Sequence, residues 1–196
     1  MKVMFFDTET GGLNPKKCSL LSVGMLRFNF DTGEIEDKAE MFVRLDSADD
    51  YVIEPKAFEV HGITAAECME KGHPIEEVRD RMFDMWVGCE VAGGHNVGFD
   101  IDFLEEHMLD GEPFKTHFGY RILDTFGSIL MLAGGQASPG NTLGQAIKGF
   151  KIDMSDIKGK FHGALFDTIA TARVANHIRR LLTYAREQEK AGQLQI

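Results

Sequence analysis

The sequence contains no hydrophobic run long enough to cross a bilayer, so a membrane-spanning helix is not expected. At the N-terminus, only four apolar residues lie between a lysine and an aspartate in MKVMFFDTET. That stretch is too short for a signal peptide and is typical of a core strand. We therefore expect a soluble cytoplasmic protein with no membrane partner.

Cysteine is also scarce. The chain has three cysteines, Cys18, Cys68 and Cys89, at wide spacings and without a C-x-x-C pair. An odd number at such spacings argues against a disulfide framework and against a zinc ribbon. Packing in an apolar interior is the simpler interpretation for all three.

Basic residues are outnumbered, with 21 lysines and arginines against 31 acids and a net charge of −10. This balance disfavours a protein that binds nucleic acid through a broad basic face. It does not exclude an enzyme whose carboxylates hold divalent cations, because the cations then bind phosphate. The length and the 43% hydrophobic content indicate one globular domain, 1–187, followed by a short flexible tail, 188–196.

The hydrophobic pattern predicts three strands first and then helices interleaved with two more strands. A tight turn between the second and third strands predicts an antiparallel hairpin. This order indicates an α/β fold with a mixed five-stranded sheet flanked by helices. The predicted strands are 2–7, 19–30, 34–43, 90–92 and 120–124, and the predicted helices are 56–60, one starting after Thr64, 75–86, 100–107, one ending at 132, 142–148 and 167–190.

Two acids lie where the first strand ends, in FFDTETGGL (5–13). Asp7 and Glu9 are two residues apart, so strand periodicity places both carboxylates on one face. Two acids beside a core strand repel each other, and a cation relieves that repulsion. Ligands that offer only oxygen favour Mg²⁺ or Mn²⁺ over zinc. The alternative is a pair of solvated loop acids, which is at least as common for an isolated D-x-E.

Two further polar segments follow strands or loops and open helices: GGHNVGFDIDFL (93–104) and FHGALFDTIATA (161–172). Asp100 and Asp167 each stand at a predicted helix start, and His162 lies on a loop five residues before Asp167. Taken singly, each aspartate is better explained as a helix cap and the histidine as a surface residue.

Together and in this order, the three segments resemble the motifs of the DEDDh (DnaQ-like) 3′→5′ exonuclease family. The resemblance spans roughly residues 2–178 and includes IEPKAFEVHGIT (53–64) and the pair Asp124-Thr125. The stretch HGALFD is particularly similar to the exonuclease domain of the bacterial DNA polymerase III epsilon (proofreading) subunits.

The resemblance implies a ribonuclease H-like fold and a hydrolase that releases nucleoside 5′-monophosphates from nucleic-acid 3′ ends. It implies that four acids hold two Mg²⁺ or Mn²⁺ ions and that His162 is the general base. The residues matched to catalysis are Asp7, Glu9, Asp100, His162 and Asp167.

Residues that flank these motifs are expected to contact the substrate. Their backbone amides would bind the terminal sugar, and their side chains would pack against the last bases. The predicted contacts are Thr8, Thr10, Gly11, Leu13, Phe58, His61, Asn96 and Phe99. For Phe103 we favour a core position, and we assign no catalytic role to His61 or His95. A lysine cluster before His162 is either a phosphate-attracting patch or a solvated loop: Lys148, Lys151, Lys158 and Lys160.

Several alternatives remain open. Single-stranded DNA is favoured as the polymer, and RNA, as for an exoribonuclease or oligoribonuclease, is the main alternative. A phosphoesterase for small molecules would use the same acids. A DNA polymerase subunit is an expected partner if the chain is a proofreading module, although its short tail favours a stand-alone enzyme. A homodimer is neither favoured nor disfavoured.

Overall fold

The computed structural model describes residues 1–132, 142–159 and 161–193. Its centre is a five-stranded sheet in the order β3-β2-β1-β4-β5. The strands are β1 (Lys2–Thr10), β2 (Leu20–Asn29), β3 (Glu34–Phe42), β4 (Val91–Gly94) and β5 (Ile122–Asp124). The pairs β1–β2 and β2–β3 are antiparallel, whereas β1–β4 and β4–β5 are parallel. The predicted mixed five-stranded sheet and its hairpin are confirmed.

Eight α-helices surround the sheet in the described part of the chain. They are α1 (Pro55–His61), α2 (Ala65–Lys71), α3 (Ile75–Trp86), α4 (Gly98–His107), α5 (Phe114–Phe118), α6 (Thr125–Leu132), α7 (Leu143–Phe150) and α8 (Ala164–Lys190). Of these, α5 was not predicted, because five residues carry too little periodicity to reveal a helix. Thr64 caps α2 as predicted, since its hydroxyl accepts the Glu67 N–H at 3.1 Å.

The central strand β1 divides the interior into two layers. Met4 and Phe6 pack into a core that includes residues of α3 and α4. Val3 and Phe5 pack on the other side against Ile169 and other residues of α8. Because strand side chains alternate, the odd-numbered positions of β1 point towards α8. Asp7 and Glu9 continue that odd-numbered row.

The first strand is longer than predicted. We expected a loop from Thr8, but β1 continues through Thr10, since the ladder with β2 extends to the pair Thr10–Leu20. The last helix ends at Lys190, as predicted, and so includes the first residues of the expected tail, 188–190. Lys160 and residues 194–196 lie outside the described residues. None of the described helices has the length and apolar character needed to span a membrane.

Candidate active site

The N-terminal turn of α8 lies directly on the sheet beside Asp7. Asp7 pairs with Gly24 of β2, and Gly24 pairs with Glu40 of β3. A Cβ atom on Gly24 would lie 2.2 Å from the carbonyl carbon of Ala164. Only glycine allows so close an approach of helix and strand. This contact brings Asp167, in the first turn of α8, over the end of β1.

Three carboxylates converge at this point. One carboxylate oxygen each from Asp7, Glu9 and Asp167 lie within 4.8 Å of one another. Glu9 and Asp167 are buried, and Asp7 is partly exposed. The Oδ2 atom of Asp167 accepts the His162 backbone N–H at 3.2 Å, whereas its buried Oδ1 atom has no hydrogen-bond partner. A buried oxygen without a donor is costly and is suited to a cation ligand.

Asp100 is the fourth acid, and Thr8 holds it in place. Oδ1 of Asp100 accepts both the backbone N–H and the hydroxyl of Thr8, at 2.8 and 2.7 Å. The side chain is only 3% exposed and stands in the first turn of α4. It lies outside the tight group of three, but its negative charge acts on Asp7. The structure therefore brings together all four predicted acids.

Burial raises the pKa of three of these four acids. Burial is the main reason that the pKa of Asp7 lies well above its usual range, and the charges of Asp100 and Asp167 add to it. Burial also raises the pKa of Asp100 to about 7, against the opposing effect of the Thr8 hydrogen bonds. It raises the pKa of Asp167 to about 6. Simultaneous ionisation of such neighbouring, buried carboxyl groups is unfavourable unless a positive charge compensates for it.

The donor set fits hard divalent cations. All candidate ligand atoms are carboxylate oxygens, and the described group of three contains no histidine or cysteine. Oxygen ligands of this kind suit Mg²⁺ or Mn²⁺. A cation bound there would give the unpartnered oxygen of Asp167 a ligand bond. It would also favour the ionised form of the carboxyl groups and so lower their raised pKa values.

His162 stands at the rim of this site. It is exposed, and its backbone has φ = +61°. Asn96, in the turn between β4 and α4, has φ = +59°. Left-handed backbone at a residue other than glycine is uncommon and concentrates at functional sites. Both residues line the same cleft as Asp7 and Asp167.

This cleft, which we call the large cleft, has a volume of about 660 Å³. Its remaining lining residues come from the β4–α4 turn, α6, α7 and the loop before α8: His95, Phe126, Thr142, Leu143, Gly144 and Phe161. Phe126 and Phe161 were missed from the sequence. The one available signal was their position, directly beside Asp124-Thr125 and His162.

A second cavity, which we call the small pocket, has a volume of about 290 Å³ and lies beside Glu9. It is bounded by the end of β1, the loop that follows it, α1 and α4. Five predicted substrate-binding residues line it: Thr8, Thr10, Leu13, His61 and Phe99. Leu13 is 83% exposed, in agreement with a surface that contacts a ligand rather than the core.

His61 also has a structural contact. Its Nδ1 atom accepts the Ile63 N–H at 2.9 Å, and its Nε2 atom lies 3.2 Å from the Thr10 carbonyl oxygen. A neutral imidazole with its hydrogen on Nε2 satisfies both contacts. His61 thereby connects the C-terminal end of α1 to the end of β1 and helps to shape the small pocket.

Three other predicted contacts fall elsewhere. The Gly11 N–H, expected to reach a sugar, donates to the Ser19 carbonyl at 2.8 Å, and Gly11 lines neither cavity. Phe58 lies exposed on α1 and lines neither cavity, and Asn96 lies in the large cleft. Three of the predicted basic residues are exposed and line neither cavity: Lys148, Lys151 and Lys158.

Comparison with known proteins gives a family and a fold. The RNase_T family, described as exonuclease, matches residues 4–175. The chain is 32% identical to the DNA polymerase III epsilon subunit of Escherichia coli over 127 residues, which are 64% of this chain and 49% of that protein. It is 27% identical over 172 residues to the PolC-type DNA polymerase III of Bacillus subtilis, which covers 85% of this chain and 11% of that protein. The chain thus spans half or less of the curated relatives that it matches.

Solved structures share the fold. Exonuclease X in complex with 5′ overhanging duplex DNA superposes with a TM-score of 0.70 at 24% identity, covering 95% of this chain and 96% of the other. Escherichia coli exonuclease I with a dT13 oligonucleotide gives 0.73 at 20% identity, covering 95% and 44%. These matches confirm the ribonuclease H-like fold. Because the family matches most of the chain, including the segments that carry the four acids, this protein belongs to the RNase_T exonuclease family.

Proposed function

We propose that this protein is a metal-dependent 3′→5′ exonuclease that removes nucleoside 5′-monophosphates from DNA. One observation carries the proposal: three converging carboxylates, with the charge of Asp100 acting on one of them, lie between a small pocket and a large cleft. Glu9 lines the pocket and Asp7 lines the cleft. A strand that crosses this point presents one phosphodiester to the carboxylates, with a single nucleotide on one side.

Asp7, Glu9, Asp100 and Asp167 would hold two Mg²⁺ or Mn²⁺ ions. When bound, such ions supply a nucleophilic water at neutral pH and positive charge for the phosphate in the transition state. The protein's own contribution is to fix its carboxylates before substrate arrives. Thr8 orients Asp100 through two hydrogen bonds, and the His162 amide orients Asp167. Ordered ligands lose little freedom on binding, so the geometry is maintained through the reaction.

His162 is the general base in this proposal. It lies on an exposed loop at the cleft, where its imidazole can reach a water beside the phosphate. Only the neutral imidazole accepts a proton, so the rate should increase with pH through the range in which histidine titrates. A flat profile between about pH 6 and 9, with chemistry limiting, would contradict this role.

The small pocket is the place for the 3′-terminal nucleotide. Leu13 and Phe99 offer apolar surface to a base, and Thr8 and Thr10 offer polar groups near the sugar. Its modest volume limits it to one residue of the chain, which accounts for removal one nucleotide at a time.

DNA is the proposed polymer because the curated relatives are DNA polymerase III proteins and both solved structures contain DNA. RNA is the alternative substrate. The likeness to the epsilon subunit supports a second candidate role as a proofreading module bound to a DNA polymerase subunit in the cytoplasm. A homodimer is the alternative assembly.

One gel experiment tests the proposal. Single-stranded DNA, duplex DNA with a 5′ overhang and RNA, each labelled at the 5′ end, are incubated with Mg²⁺, Mn²⁺ or chelator. We expect a ladder that shortens from the 3′ end, is strongest on DNA and disappears with chelator.

Asp7→Ala and His162→Ala should abolish or greatly slow the ladder. Asp102→Ala, at an exposed acid on α4, and His73→Ala, at an exposed histidine, are matched controls and should leave it intact. A polymer left whole with both metals would refute the proposal. Equal loss in the two controls would contradict the assigned site.

A further inference from the structure

Two exposed aromatic rings line the large cleft. Twelve of the 15 phenylalanines are buried or partly buried, and only Phe58, Phe126 and Phe161 are exposed. Phe126 is 36% exposed and Phe161 is 42% exposed. Both are part of the lining of the large cleft, together with Asp7 and Asp167. Exposed rings beside a carboxylate site are not explained by core packing.

Each ring is held by neighbouring groups. The Phe126 N–H donates to Oδ1 of Asp124 at 2.8 Å, and its ring packs edge-on against His95 with centroids 5.9 Å apart. The same oxygen of Asp124 accepts the Asn96 N–H at 2.9 Å. Phe161 packs edge-on against Phe166, with centroids 5.0 Å apart. Such support reduces the entropy lost when a ring stacks on a ligand.

The charge of the cleft lining points to bases rather than to phosphates. Among the described residues, the lining contains two acids, two histidines, two phenylalanines and four others, Asn96, Thr142, Leu143 and Gly144, but no lysine or arginine. A groove that tracks a phosphate backbone is normally basic. Stacking on an aromatic face needs no cation and accepts any base.

We propose that Phe126 and Phe161 stack on the bases that precede the terminal nucleotide, which makes the large cleft the subsite for the strand that remains. This inference rests on the proposed exonuclease function. The larger cavity fits this part of the substrate, because the strand continues in that direction beyond the scissile phosphate. The rings then keep the shortened strand in place after each nucleotide leaves.

The test pairs a change in the protein with a change in the substrate. Wild type, Phe126→Leu and Phe161→Leu are compared on oligothymidylate and on oligomers with an abasic residue at the second or third position from the 3′ end. For wild type we expect each abasic residue to raise KM roughly tenfold, as expected for loss of one stacked base. Each leucine variant should raise KM on the intact oligomer by a similar factor and should respond less to one abasic position.

Three controls isolate the effect. An abasic residue at the 5′ end of a long oligomer should not change KM for any protein. Tyr184→Leu, at a ring 62% exposed on α8, should behave as wild type. A chromogenic ester of thymidine 5′-monophosphate, which has no preceding nucleotide, should be hydrolysed equally by wild type and both leucine variants. Phe126→Trp and Phe161→Trp keep an aromatic ring and should retain the low KM of wild type. They test the stacking role if a leucine variant is poorly folded.

The outcomes distinguish the two proposals. Shortening of DNA from the 3′ end with no effect of either abasic position on wild type would overturn the stacking subsite and leave the exonuclease proposal intact. Additive effects of ring and base changes would also overturn it. No shortening of any oligomer would instead refute the exonuclease function on which it rests.

Discussion

Replacement of Asp100 by asparagine should stabilise the protein in the absence of divalent metal. Burial raises the pKa of this carboxyl to about 7, so its ionised form is disfavoured in the folded state. Compared with an ordinary aspartate, that shift corresponds to about 4 kcal/mol of unfolding free energy at pH 8. Asparagine keeps an oxygen that can accept both Thr8 hydrogen bonds and carries no charge. We expect a gain of roughly 2–4 kcal/mol.

The gain should depend on pH in a defined direction. Because the folded-state pKa is raised, the cost of the charge is nearly absent at pH 4, grows as pH rises to about 7, and is constant above that. Urea unfolding in chelator at pH 8, 6 and 5 measures it. Asp102→Asn, an exposed acid of the same helix, is the matched control and should change stability by less than about 0.5 kcal/mol.

Mg²⁺ should stabilise wild type more than the Asp100→Asn variant. A cation that binds the folded state stabilises it by mass action, and the asparagine variant offers one carboxylate fewer. The unfolding temperature of wild type should therefore rise more with Mg²⁺ than that of Asp100→Asn. If Asp100→Asn shows no gain in unfolding free energy in chelator at pH 8, or the same gain at pH 5, burial does not disfavour the ionised form of Asp100.

Three further predictions concern the base, the helix contact and salt. His162→Asn should lower kcat by about 10²–10⁴ while stability stays within about 0.5 kcal/mol, because asparagine tolerates the left-handed backbone; single-turnover rates and unfolding curves measure both. Gly24→Ala should lower the unfolding free energy by about 1–3 kcal/mol and remove most of the activity, because the new Cβ would lie 2.2 Å from the Ala164 backbone. Gly149→Ala is the control and should not lower the unfolding free energy, because there is open space around its Cβ. Raising salt from 50 to 200 mM should raise KM less than about tenfold, because no lysine or arginine in the described part of the chain lines the large cleft. A rise of about 10³ would instead indicate that several basic side chains contact the phosphates.

Local patterns were sufficient to predict the sheet, whereas the set of four acids was predicted from the resemblance of three ordered segments to the exonuclease family. Strand alternation alone places Asp7 and Glu9 on one face, and the structure shows that this face is the one α8 covers. The segments around Asp100 and Asp167 start helices, as their positions predicted. These features depend on residues within a few positions of each other, which is the range over which periodicity and capping operate.

Long-range contacts account for what the sequence did not reveal. The Gly11 amide looked available for substrate, but it is engaged by the Ser19 carbonyl across the β1–β2 loop. The need for glycine at position 24 arises from Ala164, 140 positions away. Phe126 and Phe161 were not singled out from the sequence, and only the folded chain places both in one cleft with the acids. No local pattern encodes such pairings, since they are set by how the layers pack.

The identity of the first product tests the central claim most directly. DNA carrying a labelled 3′-terminal nucleotide is mixed with the protein and Mg²⁺, and the earliest products are separated by chromatography. We predict that the label is released first, as a nucleoside 5′-monophosphate, and that Asp7→Asn releases none. Release of a nucleoside 3′-monophosphate, release of unlabelled nucleotides from the 5′ end before the label, or undiminished release by Asp7→Asn would contradict the claim.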